Sequence, residues 1–379
     1  MSQADPPQLH ARTPRRWLTF SIRMLLVFMF IFATLFAWLG RHVIRTRSAR
    51  PIVAQIQAAG GDAYYDYQLG IGFVDAQKTP TGSKLVRTVL GDDIYATVNV
   101  VTFFNPTTDA DIDNLHKLTN LLDVSISGPK ITDECIVNLL RINKLRSLNL
   151  SDTSITPDGL SRLSSSETLQ HLTLYGNTVT DAHLETLSSI PNLQFLQVIR
   201  APVTDSGIQS LGSIKKLRQL DVFTANAVTD AGIQPLENLS NLEQLKLLQT
   251  GLTDDSMSAI SKMVALKHLQ LDGHQISDDG FRHLQSLKQL ESIQLRDTQI
   301  GDESLNIISR FTTLKHLMIS GTRVTDDGLR QLNSLVNLER LDIEIGNHVT
   351  IDGVDALKTQ LPNCTILCWD GSGVLAETR

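Results

Sequence analysis

The sequence predicts an α/β solenoid, in which short strands and short helices alternate in stacked units along most of the chain. Three observations carry this. An aliphatic residue followed by Thr-Asp or a close variant recurs at Ile131, Ile155, Val179, Val203, Val228, Leu252, Ile276, Ile300, Val324 and Val349, at intervals of 24 or 25 residues. A period in this range marks a repeat architecture. Ahead of each anchor runs a strand pattern of the form L-x-x-L-x-L, as in Leu145, Leu148 and Leu150. A unit this small cannot bury its own apolar face, so neighbours must stack into one continuous core.

Before the repeats the chain has a different character. Residues 1–16 form a basic tail, and residues 17–40 read as a transmembrane anchor. Met24 to Gly40 is an uncharged run of 17 residues bracketed by Trp17 and Trp38. A helix would set the two indoles about 31 Å apart, which matches a hydrocarbon core of about 30 Å with Trp at each interface. A cleaved signal peptide is the competing reading. Its apolar region would be shorter and would end in small residues, whereas this run ends Trp-Leu-Gly-Arg-His. The lipid bilayer is therefore an expected partner. Arginines flank the segment almost equally, and a basic tail before a first span favours repeats on the non-cytoplasmic side.

Residues 41–61 read as a juxtamembrane linker holding a helix over 52–59, opened by Pro51 and stopped by Gly60-Gly61. Residues 62–106 read as the cap of the solenoid, since a first unit must cover a naked core edge. They hold Tyr64, Tyr65, Tyr67 and Tyr95, a polar loop from Lys78 to Lys84, and a β-branched strand over 94–104. Residues 107–370 are the repeats and 371–379 a tail. Gly70-Ile71-Gly72 and Gly371-Ser372-Gly373 lack the third glycine of a dinucleotide loop and read as turns.

Within a unit, the anchor Thr is placed to accept from a free N–H at a helix start, and the Asp beside it complements the helix dipole. Gly at the fourth position after the anchor, as in Gly159, Gly207, Gly232, Gly280, Gly328 and Gly353, suggests close approach of strand and helix. The unit pattern is broken by Pro157 in place of Asp, by Gly301 in place of Thr, and by insertions near Ala225 and Asn347.

These residues resemble the leucine-rich-repeat family over roughly residues 95–370. The T-D-x-G-L signature is similar to a bacterial repeat type related to the repeats of F-box proteins. The prefix RRWLTFSIRMLLVFM resembles the anchor of bacterial membrane-tethered repeat proteins. The resemblance implies a curved solenoid with a parallel sheet on the concave face, helices on the convex face, and a role in protein binding.

The remaining numbers bound the function. The first 50 residues hold eight Arg against a single Asp, a balance of +7, which leaves −13 on residues 51–379 of the overall −6. So acidic a domain is a poor nucleic-acid binder. Cys135, Cys364 and Cys368 are too far apart along a solenoid or a strand to pair, and read as small core residues. No nucleophile elbow, phosphate loop or metal motif is present. His171, His268 and His316 share one strand column but stand several strands apart, too far to share an ion. Catalysis, cofactors and metals are not expected.

Strand positions that alternate with the leucines describe the concave face. Most are polar. The exception is a central cluster of Tyr175, Phe195, Ile199, Phe223 and Leu248, which suggests a site for a protein or peptide partner, with Arg200, Asp221 and Lys246 as polar rim. A substrate-recognition subunit of a ubiquitin-ligase-like system, by analogy with the F-box relatives, and a structural or adhesive envelope protein are the alternatives.

Overall fold

The computed structural model describes residues 22–69, 75, 78–91, 96–104, 107–273, 275–346 and 348–369. The predicted basic tail, Trp17, Tyr95, both glycine triplets and Asn347 lie outside these residues. The repeats build a single 13-stranded sheet whose strands follow one another in sequence order. They are β1 (Asp62–Tyr65), β2 (Val98–Phe103), β3 (Asp123–Ser127), β4 (Ser147–Ser151), β5 (His171–Tyr175), β6 (Phe195–Ile199) and β7 (Gln219–Phe223). Then follow β8 (Gln244–Leu248), β9 (His268–Gln270), β10 (Ser292–Gln294), β11 (His316–Met318), β12 (Arg340–Glu344) and β13 (Thr365–Trp369). All neighbours pair in parallel except β1, which runs antiparallel to β2. A short helix or 3-10 turn lies between successive strands from β2 onward.

The core is a set of leucine columns. Leu148, Leu172, Leu196, Leu220, Leu245, Leu269, Ile293, Leu317 and Leu341 stand in register and are at most 1% exposed. Each contributes about 2 kcal/mol by its burial. All three cysteines are free and buried. Burial pushes the Cys364 thiol up to about 11 and raises that of Cys135 further, with help from Asp109 and Asp133.

The expected helix over 52–59 is not a separate element. One helix, α1 (Ile22–Ala58), runs for 37 residues with Pro51 inside it. Pro51 lacks an N–H and deletes one rung, yet the turns on either side carry the helix through. Gly60, at φ +75°, ends it. The last turns dock on the repeats, where Ile52 and Ile56 are 6% and 1% exposed. The N-terminal part is different, for its side chains from Ile22 to Trp38 all face solvent. Among the described residues no helix is long and apolar enough to cross a membrane. A second helix, α2 (Lys84–Leu90), follows the predicted polar loop and was not expected from the sequence.

The anchor Thr and Asp do more than cap and complement a helix. Asp109, Asp133, Asp181, Asp205, Asp230, Asp254, Asp302 and Asp326 each accept two bonds from the next unit. The donors are the backbone N–H and the hydroxyl of Thr132, Thr156, Thr204, Thr229, Thr253, Ser277, Thr325 and Thr350, at 2.6–3.0 Å. This ladder corrects the expected role of the glycine four places after the anchor. A Cβ on Gly159, Gly207, Gly232, Gly280, Gly328 or Gly353 would collide with the carboxylate of the preceding unit. What crowds the position is therefore a neighbouring aspartate, not a strand. Cys135 and Ser256 show that it also admits a small side chain.

The departures from the pattern obey the same constraint. Thr108 has no preceding anchor Asp, and its N–H and hydroxyl bond instead to Asp111, at the fourth position of its own unit (both 2.8 Å). Pro157 removes the carboxylate that Thr180 would use. The fourth position there is His183, whose Nδ1 accepts from the Thr180 N–H at 3.1 Å while Nε2 lies 3.0 Å from the Ile155 carbonyl. Gly301 offers no hydroxyl, and Ser304 at the fourth position supplies one to Asp278.

This ladder predicts a specific coupling. Gly280→Ala is expected to cost about 1–3 kcal/mol by overpacking, and Asp254→Ala about 1–2 kcal/mol by loss of a cap. In the double variant the loss is smaller than the sum, because the added methyl no longer meets a carboxylate. Strictly additive losses in urea unfolding would count against the contact.

Candidate protein-binding surface

The sheet presents one face to solvent, and the predicted cluster lies on it. Tyr175, Ile199, Phe223 and Leu248 are direct register partners across β5–β8 and form an unbroken apolar row. All four are half-buried. Phe195 sits at the other end of β6, where its ring stacks on His171 with centroids 4.0 Å apart and planes 9° from parallel. Burial pushes the His171 imidazole below its ordinary value, and its ring adds a second flat surface beside Phe195. His171 was not expected in the cluster. Its register pairing with Phe195 is the signal that could have found it.

The three expected rim residues divide. Arg200 donates to the Tyr175 hydroxyl at 2.7 Å and lies 5.8 Å from the centre of that ring. It therefore extends the apolar row with a cation-bearing edge. Lys246 is half-buried on β8. Asp221 is not a rim residue, for it is only 1% exposed. Gln197, Gln219 and Gln244 donate to its carboxylate at 2.8–3.2 Å. A buried carboxylate needs such donors, and three amides close over it. Sequence alternation identified the face correctly and missed the network, because flanking glutamines are long enough to fold over a shorter neighbour.

A further feature has no counterpart among the expectations. In the units of β3–β11 one residue shortly after the strand turns the chain, and in several its N–H bonds to the next strand, as Arg200 does to Phe223 (3.1 Å) and Thr224 to Leu248 (3.0 Å). This turn needs a positive φ. Gly128, Gly176, Gly273 and Gly321 supply it freely, and Asp152 and Asp297 tolerate it. Three consecutive units instead hold Arg200 (φ 53°), Thr224 (φ 60°) and Gln249 (φ 53°). Thr224 is β-branched, the type that fits this region worst. These three follow directly after Ile199, Phe223 and Leu248. Thr224 bonds to Gln249 at 3.0 Å, and a shallow groove of about 500 Å³ runs beside the turns, lined in part by Arg200, Pro202, Thr224 and Asn226. The sequence held a clue, since glycine and aspartate fill this column elsewhere.

His171, His268 and His316 lie on β5, β9 and β11. Among the described residues no group of three His, Cys, Asp or Glu side chains converges on a common point.

Residues 142–164 and 312–332 match the family model described as Leucine Rich repeat. These two segments are similar to leucine-rich repeats. Two solved structures from Listeria monocytogenes are similar to it. An internalin C2 is 20% identical with a TM-score of 0.41, the match covering 62% of this chain and 84% of that one. An internalin (inlF) is 21% identical with a TM-score of 0.31, covering 64% and 90%. No curated protein matches the chain.

The strained turns give a direct test. Replacing Thr224 by glycine relieves a left-handed β-branched residue, and unfolding free energy is expected to rise by about 1 kcal/mol. The same change at an ordinary exposed strand position such as Thr365 should lower it. A destabilised Thr224→Gly variant in urea unfolding would show that the turn is not strained.

Proposed function

We propose that this is a non-catalytic recognition protein whose leucine-rich repeats dock a protein or peptide across β5–β8. Tyr175, Phe195, Ile199, Phe223 and Leu248 form the apolar contact, with Arg200 and Lys246 as its charged edge. The observation that carries this is the coincidence of two rule-breaking features in the same three units. There the apolar row lies on a face that is mostly polar in the neighbouring units, and residues that cost stability stand where glycine would not. Strain of this kind persists where a site needs the side chain more than the fold does. The acidic charge of residues 51–379 argues against a nucleic-acid partner.

A second part of the proposal concerns location. Residues 17–40 tether the chain to a bilayer, with residues 62–106 capping the repeats and residues 107–370 forming them. Support comes from the apolar side chains of α1 that face solvent from Met24 to Trp38, Phe30 at 71% and Phe36 at 65% exposure. Contiguous exposed apolar surface of that extent calls for lipid or another partner. A basic tail ahead of a first span favours repeats on the non-cytoplasmic side, although the flanking arginines balance.

Proximity labelling in the native host identifies the partner of the repeats. Phe195→Ala and Phe223→Ala are each expected to weaken its binding at least about 30-fold, the scale of an interface hot spot. Val336→Ala, on a residue 74% exposed and remote from the site, serves as control. Unchanged affinity in both phenylalanine variants removes the site. Separately, the full chain is expected in the membrane fraction and to resist alkaline carbonate, whereas a variant with arginine at Phe28, Ile31 and Leu35 is released. A wild-type chain recovered in the soluble fraction would end the tether proposal.

A further inference from the structure

The two ends of the sheet are finished differently. At the N-terminal edge, β1 carries Asp62 and a register irregularity between Tyr64 and Tyr65, and α1 packs Ile52 and Ile56 against the same end. Charge, irregular pairing and helical cover are the devices that stop one sheet edge from pairing with another. Among the described residues the C-terminal edge has none of them. β13 reads Thr365-Ile366-Leu367-Cys368-Trp369, with no charge, no proline and no irregularity in its register with β12.

Its two faces are also unusual. In β10–β12 the positions on the side opposite the leucine columns are Gln294, Met318, Glu344 and Asp342, the last buried beneath Arg340. In β13 the positions paired with Asp342 and Glu344 are Leu367 and Trp369. On the core side Cys368 is 1% exposed, while Ile366 is half-buried at the end of the core. A strand apolar on both faces is typical of a sheet interior, yet this one is last in the strand order. The Thr365 N–H bonds to the Glu339 carbonyl and the Trp369 carbonyl accepts from the Ile345 N–H, both at 2.8 Å. Residues 365, 367 and 369 therefore bond toward β12, and Ile366 and Cys368 direct their N–H and C=O outward.

We infer that β13 pairs with β13 of a second copy of this chain, antiparallel about a two-fold axis at Leu367, so that two sheets join edge to edge. The outward residues suit this occupant, since Ile366 and Cys368 lie symmetrically about Leu367. In an antiparallel pair each faces the other's counterpart and all four outward groups are satisfied. A strand without charge meets no like-charge opposition from its own copy. Leu367 then faces Leu367 of the second copy across a non-hydrogen-bonded pair, and the half-buried Ile366 side chains cover the two core ends.

The test uses the full chain in mild non-ionic detergent, with mass measured by light scattering after size exclusion. The wild type is expected to be dimeric. Leu367→Lys sets two ammonium groups opposite each other, in a column that accepts polar residues in neighbouring strands, and should give a monomer with an unchanged melting temperature. Ile366→Pro removes an outward N–H that β12 does not use and should also give a monomer. Leu367→Cys places two thiols on Cα atoms about 4.5 Å apart, within disulfide range, and is expected to cross-link on mild oxidation where the wild type does not. A monomeric wild type overturns the inference, as does a dimer that survives Leu367→Lys or fails to cross-link through Leu367→Cys. Dimerisation seen only after residues 371–379 are removed would assign the edge to the chain's own tail. Loss of partner binding in the phenylalanine variants moves none of these readings, so the two proposals fail independently.

Discussion

A carboxylate handed from each unit to the helix start of the next is the constraint on which the regularity of this solenoid depends. Leucine columns supply most of the burial, but apolar contacts are not directional and would tolerate sliding or rotation between units. The Asp–Thr bonds are directional and short. They satisfy donors at helix starts that would otherwise lack partners, and they set each unit at a fixed offset from its neighbour. That offset is tight enough to exclude a Cβ at the fourth position after the anchor in six units.

The exceptions show that the constraint is local and not merely a consensus. Asp111, His183 and Ser304 occupy the same place in three units, and each replaces what its own unit lacks. Asp111 and His183 stand in for a missing carboxylate from before, and Ser304 for a missing hydroxyl. His183 is larger than any other occupant of this position, and it fits because Pro157 has vacated the space that a carboxylate fills elsewhere. A large or charged residue at this position therefore goes with a compensating change nearby, whereas the small Cys135 and Ser256 fit beside an intact carboxylate.

Set against this regularity, the region of β5–β8 is where the chain departs from its own rules without an internal compensation. Arg200, Thr224 and Gln249 adopt positive φ where glycine serves other units, and the row beside them is apolar on a polar face. The buried Asp221 and its three glutamines lie next to this row and link β6, β7 and β8 through side-chain hydrogen bonds. Side chains already held in this way lose less conformational entropy on binding.

Much of this was legible in the sequence. The 24-residue period, the strand columns and the half-buried cluster follow from alternation and spacing alone, because a stacked repeat places the same position of every unit in one line. Spacing could not show that the aspartate reaches across to the next unit, since the contact depends on the offset between stacked units. Nor could it show that Asp221 is covered, that Pro51 lies within one continuous helix, or that β1 turns antiparallel. Those outcomes depend on how long side chains fold over short ones and on which surfaces meet at the ends of the stack. Periodicity by itself determined the architecture, because each unit repeats the same local physics. Only the tertiary structure decided the couplings between units and the character of the two sheet edges, because these arise between residues that no single unit contains.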